Sequence, residues 1–207
     1  MTNFTTKEIV YFNKIGPQNT KKAIECAVKR LREKDIKIVL VASSSGETAL
    51  KVVKAMRDLK VKIIVVTLAA KCELIKAPGF SVEKNKQEKN FKELKKLGIQ
   101  ILRTSHALSG VERSVKERWG TAGPVLLLGD ALRILCDGVK VGVEITVMAA
   151  DSGLIPFGEN IMTIAGTNKG ADTVMIVKPA GMNNFFDFAI REIICKLIPE
   201  KVIHPPK

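Results

Sequence analysis

Residues 36–68 read IKIVLVASSSGETALKVVKAMRDLKVKIIVVTL. Ile36 to Ala42 is a short β-branched run with hardly a polar break. That pattern predicts a strand buried on both faces of a parallel sheet. Ser43, Ser44, Ser45 and Gly46 then turn the chain. Ala49, Val52, Val53 and Met56 follow at i, i+3, i+4 and i+7, one face of a helix. Val61 to Leu68 is a second buried strand. The stretch is therefore a β-α-β unit, whose parallel strands require a crossover that is almost always right-handed.

Outward from this unit the alternation continues. An extended segment around Ile9 to Phe12 and a Gly16-Pro17 turn precede a helix from Asn19 or Thr20 to about Lys34. Its Ile24, Val28 and Leu31 fall on one face. Lys71 to Phe80 reads as loop. Val82 to Leu97 reads as an exposed helix with a thin apolar stripe at Phe91, Leu94 and Leu97. Gly98 closes it, and Ile99 to Arg103 is a short strand. Helices are expected over Val111–Trp119 and Pro124–Leu135, the second with proline near its first turn. Val139, Val141, Val143, Ile145 and Val147 alternate with period two, which slightly favours a strand. Leu135, Val139, Val143 and Val147 also satisfy a helical stripe, so both readings stand at this point. Ile161–Ala165 and Thr173–Val177 are two strands joined by Gly166 to Asp172, expected as an antiparallel hairpin. Asn183 or Asn184 is expected to cap a last helix, with Asp187 in its first turn. The sum is an α/β fold, a three-layer α/β/α sandwich forming one domain over residues 1–207.

Composition narrows the function classes. Lys plus Arg is 34 and Asp plus Glu is 21, a formal net charge of +13, with 46% apolar residues. Such a chain can bury a core, and composition argues against disorder. No apolar run approaches the length of a membrane-spanning helix, and the N-terminus lacks a signal-peptide pattern. The excess charge sits in residues 1–100, with 22 basic against 10 acidic side chains. Lys outnumbers Arg 26 to 8 and aromatic residues are 5%, so a solvated surface is favoured over a nucleic-acid interface. Cys26, Cys72, Cys136 and Cys195 are scattered, with no CxxC pair and no histidine cluster. Isolated thiols of this kind suit a reducing cytoplasm, and no metal site is expected.

The sharpest local feature is Ser43 to Ala49, SSSGETA, between a strand and a helix. Ligands of open α/β sheets sit at the carboxyl ends of strands. Free backbone N–H groups and a positive helix end there suit a phosphate. Ser43, Ser44, Ser45, Gly46, Glu47 and Thr48 are the candidate residues. The stretch lacks both the Walker GK[ST] ending and the dinucleotide G-x-G-x-x-G pattern. A second candidate loop is Gly166, Thr167, Asn168, Lys169 and Gly170. Asn183 and Asn184, followed by Phe185 and Phe186, are candidates to read a ring. His106, the one central histidine, is read as structural, and no hydrolytic triad assembles.

Residues 41–67, with the loop just quoted, resemble the effector-binding segment of the pyruvate kinase C-terminal domain. GIQILRT (98–104) resembles the short strand that follows it. VKVGVEITVMAADSGLIPFGENIMTIAGTNKGADTVMIVKPA (139–180) resembles the end of that domain. The GADT and MNNFFD stretches, Gly170 to Thr173 and Met182 to Asp187, are similar to free-standing archaeal and bacterial relatives of the domain. The resemblance implies a mixed five-stranded sheet with its last strand antiparallel. It also implies that residues 139–152 are helix and that 104–135 is a helical extension beyond the core. By position, Ser43, Ser44, Ser45, Gly46 and Thr48 would hold one phosphate, with Thr167 to Gly170 at the other end. Ser44 and Glu47 stand where sugar-bisphosphate-binding pyruvate kinases often carry basic residues. No catalytic barrel accompanies the segment, so pyruvate kinase activity is not expected.

The expectation is a binding function for a small phosphorylated ligand. One phosphate loop with amides and aromatics nearby suits flavin mononucleotide (FMN) better than a sugar bisphosphate. A flavin-dependent oxidoreductase is the enzymatic alternative, and nucleic-acid binding through the basic N-terminal half is a weaker one. Extra apolar surface at Trp119 and Val125 to Leu128 points to a homo-oligomer.

Overall fold

The computed structural model describes residues 3–69 and 83–199. The loop read at Lys71 to Phe80, with Cys72 in it, and the C-terminal His204 lie outside those residues. Helices and strands alternate as far as β4, after which three helices and then three strands follow. In order they are β1 (Val10–Phe12), α1 (Asn19–Leu31), β2 (Ile38–Ala42), α2 (Glu47–Met56), β3 (Lys62–Thr67), α3 (Lys84–Lys96) and β4 (Gln100–Arg103). There follow α4 (Gly110–Trp119), α5 (Pro124–Arg133), α6 (Asp137–Asp151), β5 (Ile161–Ala165) and β6 (Thr173–Lys178). A 3-10 helix at Met182–Asp187 leads into β7 (Ala189–Leu197).

The strands form one sheet in the order β1-β7-β6-β5-β2-β3-β4. Only β6 runs against its neighbours; β2, β3, β4 and β5 are parallel, as are β1 and β7. The expected five-stranded sheet is thus the run from β6 to β4, and β7 and β1 extend it. On one face α1 packs against α2, β6 and β7, and α2 packs against β2 and α3. On the other, α6 lies across β2, β5, β6 and β7 and is itself covered by α5. This is the three-layer α/β/α arrangement.

β2, β5 and β6 are buried on both faces, with Val39, Leu40, Val41, Ile164, Val174 and Met175 fully enclosed. That explains their unbroken apolar sequence. Residues 139–150 are helical, as the resemblance implied and against the period-two pattern. The reason is position: α6 is sandwiched between sheet and α5, and nearly all its residues are buried. A helix enclosed all round shows apolar residues at every spacing, so its stripe is blurred. Gly142 permits the close approach, since a Cβ there would stand 2.5 Å from the Met175 Cε and 3.0 Å from the Thr163 Oγ1.

The last expected helix is a correction. Met182–Asp187 forms only a 3-10 turn, and residues 189–197 are a strand between β6 and β1. Ile190, Ile193, Ile194 and Leu197 carry helical spacing. Two register shifts against β6 produce it, because Ile194 and Arg191 fall outside the pairs Val174–Cys195, Met175–Ile193, Ile176–Glu192 and Val177–Ile190. Each bulge inserts a residue and breaks the alternation that marks a strand. Arg30 of α1 then braces β7, donating to Glu192 at 2.8 Å and to both oxygens of Asp35.

Candidate functional site

β2 and β5 are parallel neighbours in register, Val41 opposite Ile164. Their carboxyl ends, Ala42 and Ala165, reach the same edge of the sheet, so the loops that follow lie side by side. The chain leaves β2 toward β3 on one side, while β5 flanks β2 on the other. A reversal of this kind is where open α/β sheets open a crevice.

The first loop is tightly held. The Ser43 N–H donates to the Val66 carbonyl at 3.0 Å, and the Ser43 hydroxyl accepts from the Ala49 N–H at 3.4 Å. The Ser45 hydroxyl accepts from the Glu47 N–H at 3.4 Å. Gly46 is left-handed, with φ 81°, and begins α2. A left-handed residue beside right-handed ones gathers N–H groups into a concavity that suits an anion. From behind, α3 grips the loop. The Gln87 side-chain amide donates to the Ser44 carbonyl at 2.5 Å and that of Asn90 to the Ser45 carbonyl at 2.9 Å. Both amide residues are buried. Neither was among the candidates read from sequence. A signal was present: Gln87, Asn90, Phe91 and Leu94 share one helix face, and the two polar members sit on the stripe that is buried.

Glu47 is paired with Lys86 of α3. The hydrogen bond from Lys86 outweighs partial burial, and the charges of Lys86, Lys51 and Lys169 add to it. Together they hold the Glu47 carboxyl below the usual carboxylate range. The charge that opposes an anionic ligand is therefore largely neutralised within the protein. The register of β2 and β5 sets the second loop, with Lys169, beside the first.

In that second loop, the buried Asp172 accepts from the Thr167 N–H at 2.9 Å and from the Thr173 hydroxyl at 2.7 Å. Gly166 backs onto the Gly170 carbonyl, and Asn168 is left-handed, with φ 57°. The Ala171 N–H donates to the Thr20 hydroxyl at 3.0 Å, which brings the first turn of α1 against the loop. The Thr167 hydroxyl is buried and has no hydrogen-bond partner. Thr67, beside Ser43 at the carboxyl end of β3, is in the same condition.

Asn183 and Asn184 are not brought to this edge. β6 pairs antiparallel with β5, Val177 opposite Ile161, so the chain leaves β6 at the opposite edge. There Asn184 accepts from the Gly181 N–H at 3.0 Å and Asp151 accepts from the Met182 N–H. The pair of amides and the adjoining Phe185 and Phe186 shape a turn remote from the serine loop.

A second polar cluster ties α6 to the segment after β4. Glu144 accepts from the Leu108 N–H at 3.0 Å and from the Lys140 ammonium at 2.6 Å, with His106 Nδ1 at 3.4 Å. Burial alone would raise the Glu144 carboxyl; the His106 hydrogen bond and the charge of Lys140 overcome it and hold it at about 2. Burial pulls Lys140 below an ordinary lysine despite its partner. His106 thereby helps to hold the segment after β4 against α6. Among the described residues, no group of three or more His, Cys, Asp and Glu side chains could hold a metal ion. No helix of the described residues is long and apolar enough to cross a membrane.

A family model described as the pyruvate kinase alpha/beta domain matches residues 21–177. The chain belongs to that family. The match runs from α1 to β6 and so takes in both loops, stopping short of β7. A pyruvate kinase from Cryptosporidium parvum is 14% identical, with TM-score 0.38, over 81% of this chain and 23% of that one. An NH3-dependent NAD synthetase from Campylobacter jejuni is 15% identical, with TM-score 0.38, over 73% of this chain and 56% of that one. The chain spans about a quarter of the length of the pyruvate kinase it matches.

Proposed function

We propose that the protein binds a small phosphorylated molecule in the crevice between the loops 43–48 and 166–170. The observation that carries this reading is the pairing of the α2 N-terminus with the buried, unpartnered hydroxyl of Thr167 on the facing loop. A buried hydroxyl without a partner is costly, and a ligand oxygen offsets that cost. The α2 dipole favours the anion, as does the Thr48 N–H, the first-turn donor not engaged by the hydroxyls of Ser43 and Ser45. Lys169 is the one basic side chain in the two loops, enough to meet a single phosphate group. A monophosphate therefore suits the site better than a bisphosphate.

FMN is one such monophosphate. The amides and aromatics at 183–186 stand at the far edge of the sheet, so the flavin form rests on the phosphate loop alone. Purified protein should show flavin absorbance or take up added FMN; colourless protein that ignores FMN would remove the flavin form and leave the phosphate site. Ser45→Asp is expected to abolish binding of inorganic phosphate, measured by calorimetry, through like-charge repulsion at the helix N-terminus. Unchanged phosphate binding in that variant would move the site away from this loop.

A further inference from the structure

The two buried amides of α3 have a geometric effect on the loop they hold. In a trans peptide the C=O and the following N–H point in opposite directions, and the described residues contain no cis peptide. Gln87 draws the Ser44 carbonyl toward α3, which turns the Ser45 N–H away from α3. Asn90 does the same to the Ser45 carbonyl and the Gly46 N–H. Among the described residues, none accepts a hydrogen bond from either N–H. α3 packs on α2 and β4, on the β3–β4 side of β2, whereas the β5 loop lies on the other side of β2, and there the Thr167 hydroxyl is buried without a partner. Among the described residues, no other donor holds either carbonyl in this orientation.

We propose that Gln87 and Asn90 are positioning residues of the phosphate site, fixing two consecutive peptides so that their N–H groups face the anion. The inference rests on the phosphate reading and adds its means of preorganisation. Preorganised donors bind without the reorganisation that a flexible loop must undergo. The carbonyl partners also polarise the same peptides, and hydrogen bonds in a chain strengthen one another. α3 thereby acquires a role distinct from its lysines, which line the outer face.

The test uses the full chain, inorganic phosphate as the probe, and the backbone amide signals of Ser45 and Gly46 followed by NMR. In the wild type, phosphate should shift both signals downfield. Asn90→Asp, which sets a carboxylate against the Ser45 carbonyl, should weaken phosphate binding about tenfold and leave the Gly46 signal unmoved. Gln87→Ala should weaken binding severalfold and blunt the Ser45 response. Thermal melting of each variant checks that it is folded, and Gln87→Glu gives a second, near-isosteric probe should Gln87→Ala unfold. If the wild-type amides respond and the variants match the wild type in affinity and shift, the positioning role is wrong and the phosphate site stands. If the wild-type amides ignore phosphate, the site itself is wrong and the positioning role falls with it.

Discussion

A methyl group on Gly46 would meet two obstacles at once, a φ of 81° that disfavours any side chain and the Asn90 Cβ 2.7 Å away. Gly46→Ala should therefore destabilise the fold by about 1–3 kcal/mol, read from urea denaturation. It should also weaken phosphate binding, because the displaced Asn90 releases the Ser45 carbonyl. A stability equal to wild type would show that the loop relaxes freely and is not preorganised. Glu144 offers a second residue-scale test, this time through pH. Its carboxyl ordinarily titrates near 4.5 and is held at about 2 in the folded chain. A lowered acid contributes stability above its unfolded value and loses it as pH falls toward the folded one. The contribution, about 3 kcal/mol, should be complete at pH 7 and drain between about 4.5 and 2. Glu144→Gln leaves Lys140 buried without its countercharge, so it should be less stable by about 3 kcal/mol at neutral pH. Its disadvantage should shrink in acid; a constant difference from pH 7 to 3 would uncouple this carboxylate from folding. The serine loop was legible in sequence because hydroxyls and a glycine between strand and helix have a local chemical meaning. Gln87 and Asn90 were not, because their partners lie more than forty residues away and a polar residue on a lysine-rich helix reads as solvated.

At the level of elements, legibility followed how well the local spacing of apolar residues matched the element formed. β2, α2 and β3 were readable because each has a single pattern and short connections. α6 and β7 were not, and for opposite reasons. α6 is covered on both sides, so its apolar residues exceed one stripe and mimic alternation. β7 carries two bulges against β6, so its isoleucines drift from period two into helical spacing. In both cases tertiary partners, invisible to a local window, decide the element. The same holds for Asn183 and Asn184. Their sequence was read as a helix cap near a ring site, yet the antiparallel course of β6 carries them to the far edge of the sheet. The side of the sheet on which a loop emerges depends on strand direction, and direction follows from pairing rather than composition. α3 shows how an element can serve two faces. Phe91 and Leu94 enter the core, Gln87 and Asn90 grip the serine loop, and Lys86 reaches round to Glu47. Phe91 rests against Gly46, its Cδ1 3.2 Å from where a Cβ would stand. Phe91→Ala should cost about 3 kcal/mol in urea denaturation, as a buried aromatic does, and should loosen the loop as well. A loss below 1 kcal/mol would mean that α3 is held to the sheet chiefly by its polar contacts.

Across the whole molecule, the segment between β4 and α6 behaves differently from the rest. Its attachment to the core is narrow: Leu108 is buried, Gly129 of α5 lies against Lys140, and Glu144 accepts from the Leu108 N–H. Within the segment, Glu112 of α4 caps α5, accepting from the Val125 and Leu126 N–H groups at 3.2 and 2.9 Å. The two helices are thus braced to each other and latched to α6, yet α4 buries no residue and α5 only Gly129. Val111, Trp119, Leu127 and Ile134 are each at least 60% exposed. Ala107 and Leu132 of the segment pack against the core and Leu108 is buried, but these four side chains stay outside it, because α6 already covers that face of the sheet. Large apolar side chains gathered on one exposed feature mark an interaction surface more often than chance. Symmetric self-association is the commonest way to cover such a surface. The expected outcome is a homo-oligomer in solution, with light scattering giving a multiple of 22.7 kDa. Leu127→Glu combined with Ile134→Glu should return the mass to that of one chain without altering phosphate binding at the loops 43–48 and 166–170, which contain neither residue. A wild-type mass near 22.7 kDa at every concentration would leave these side chains without a partner copy and end the oligomer reading.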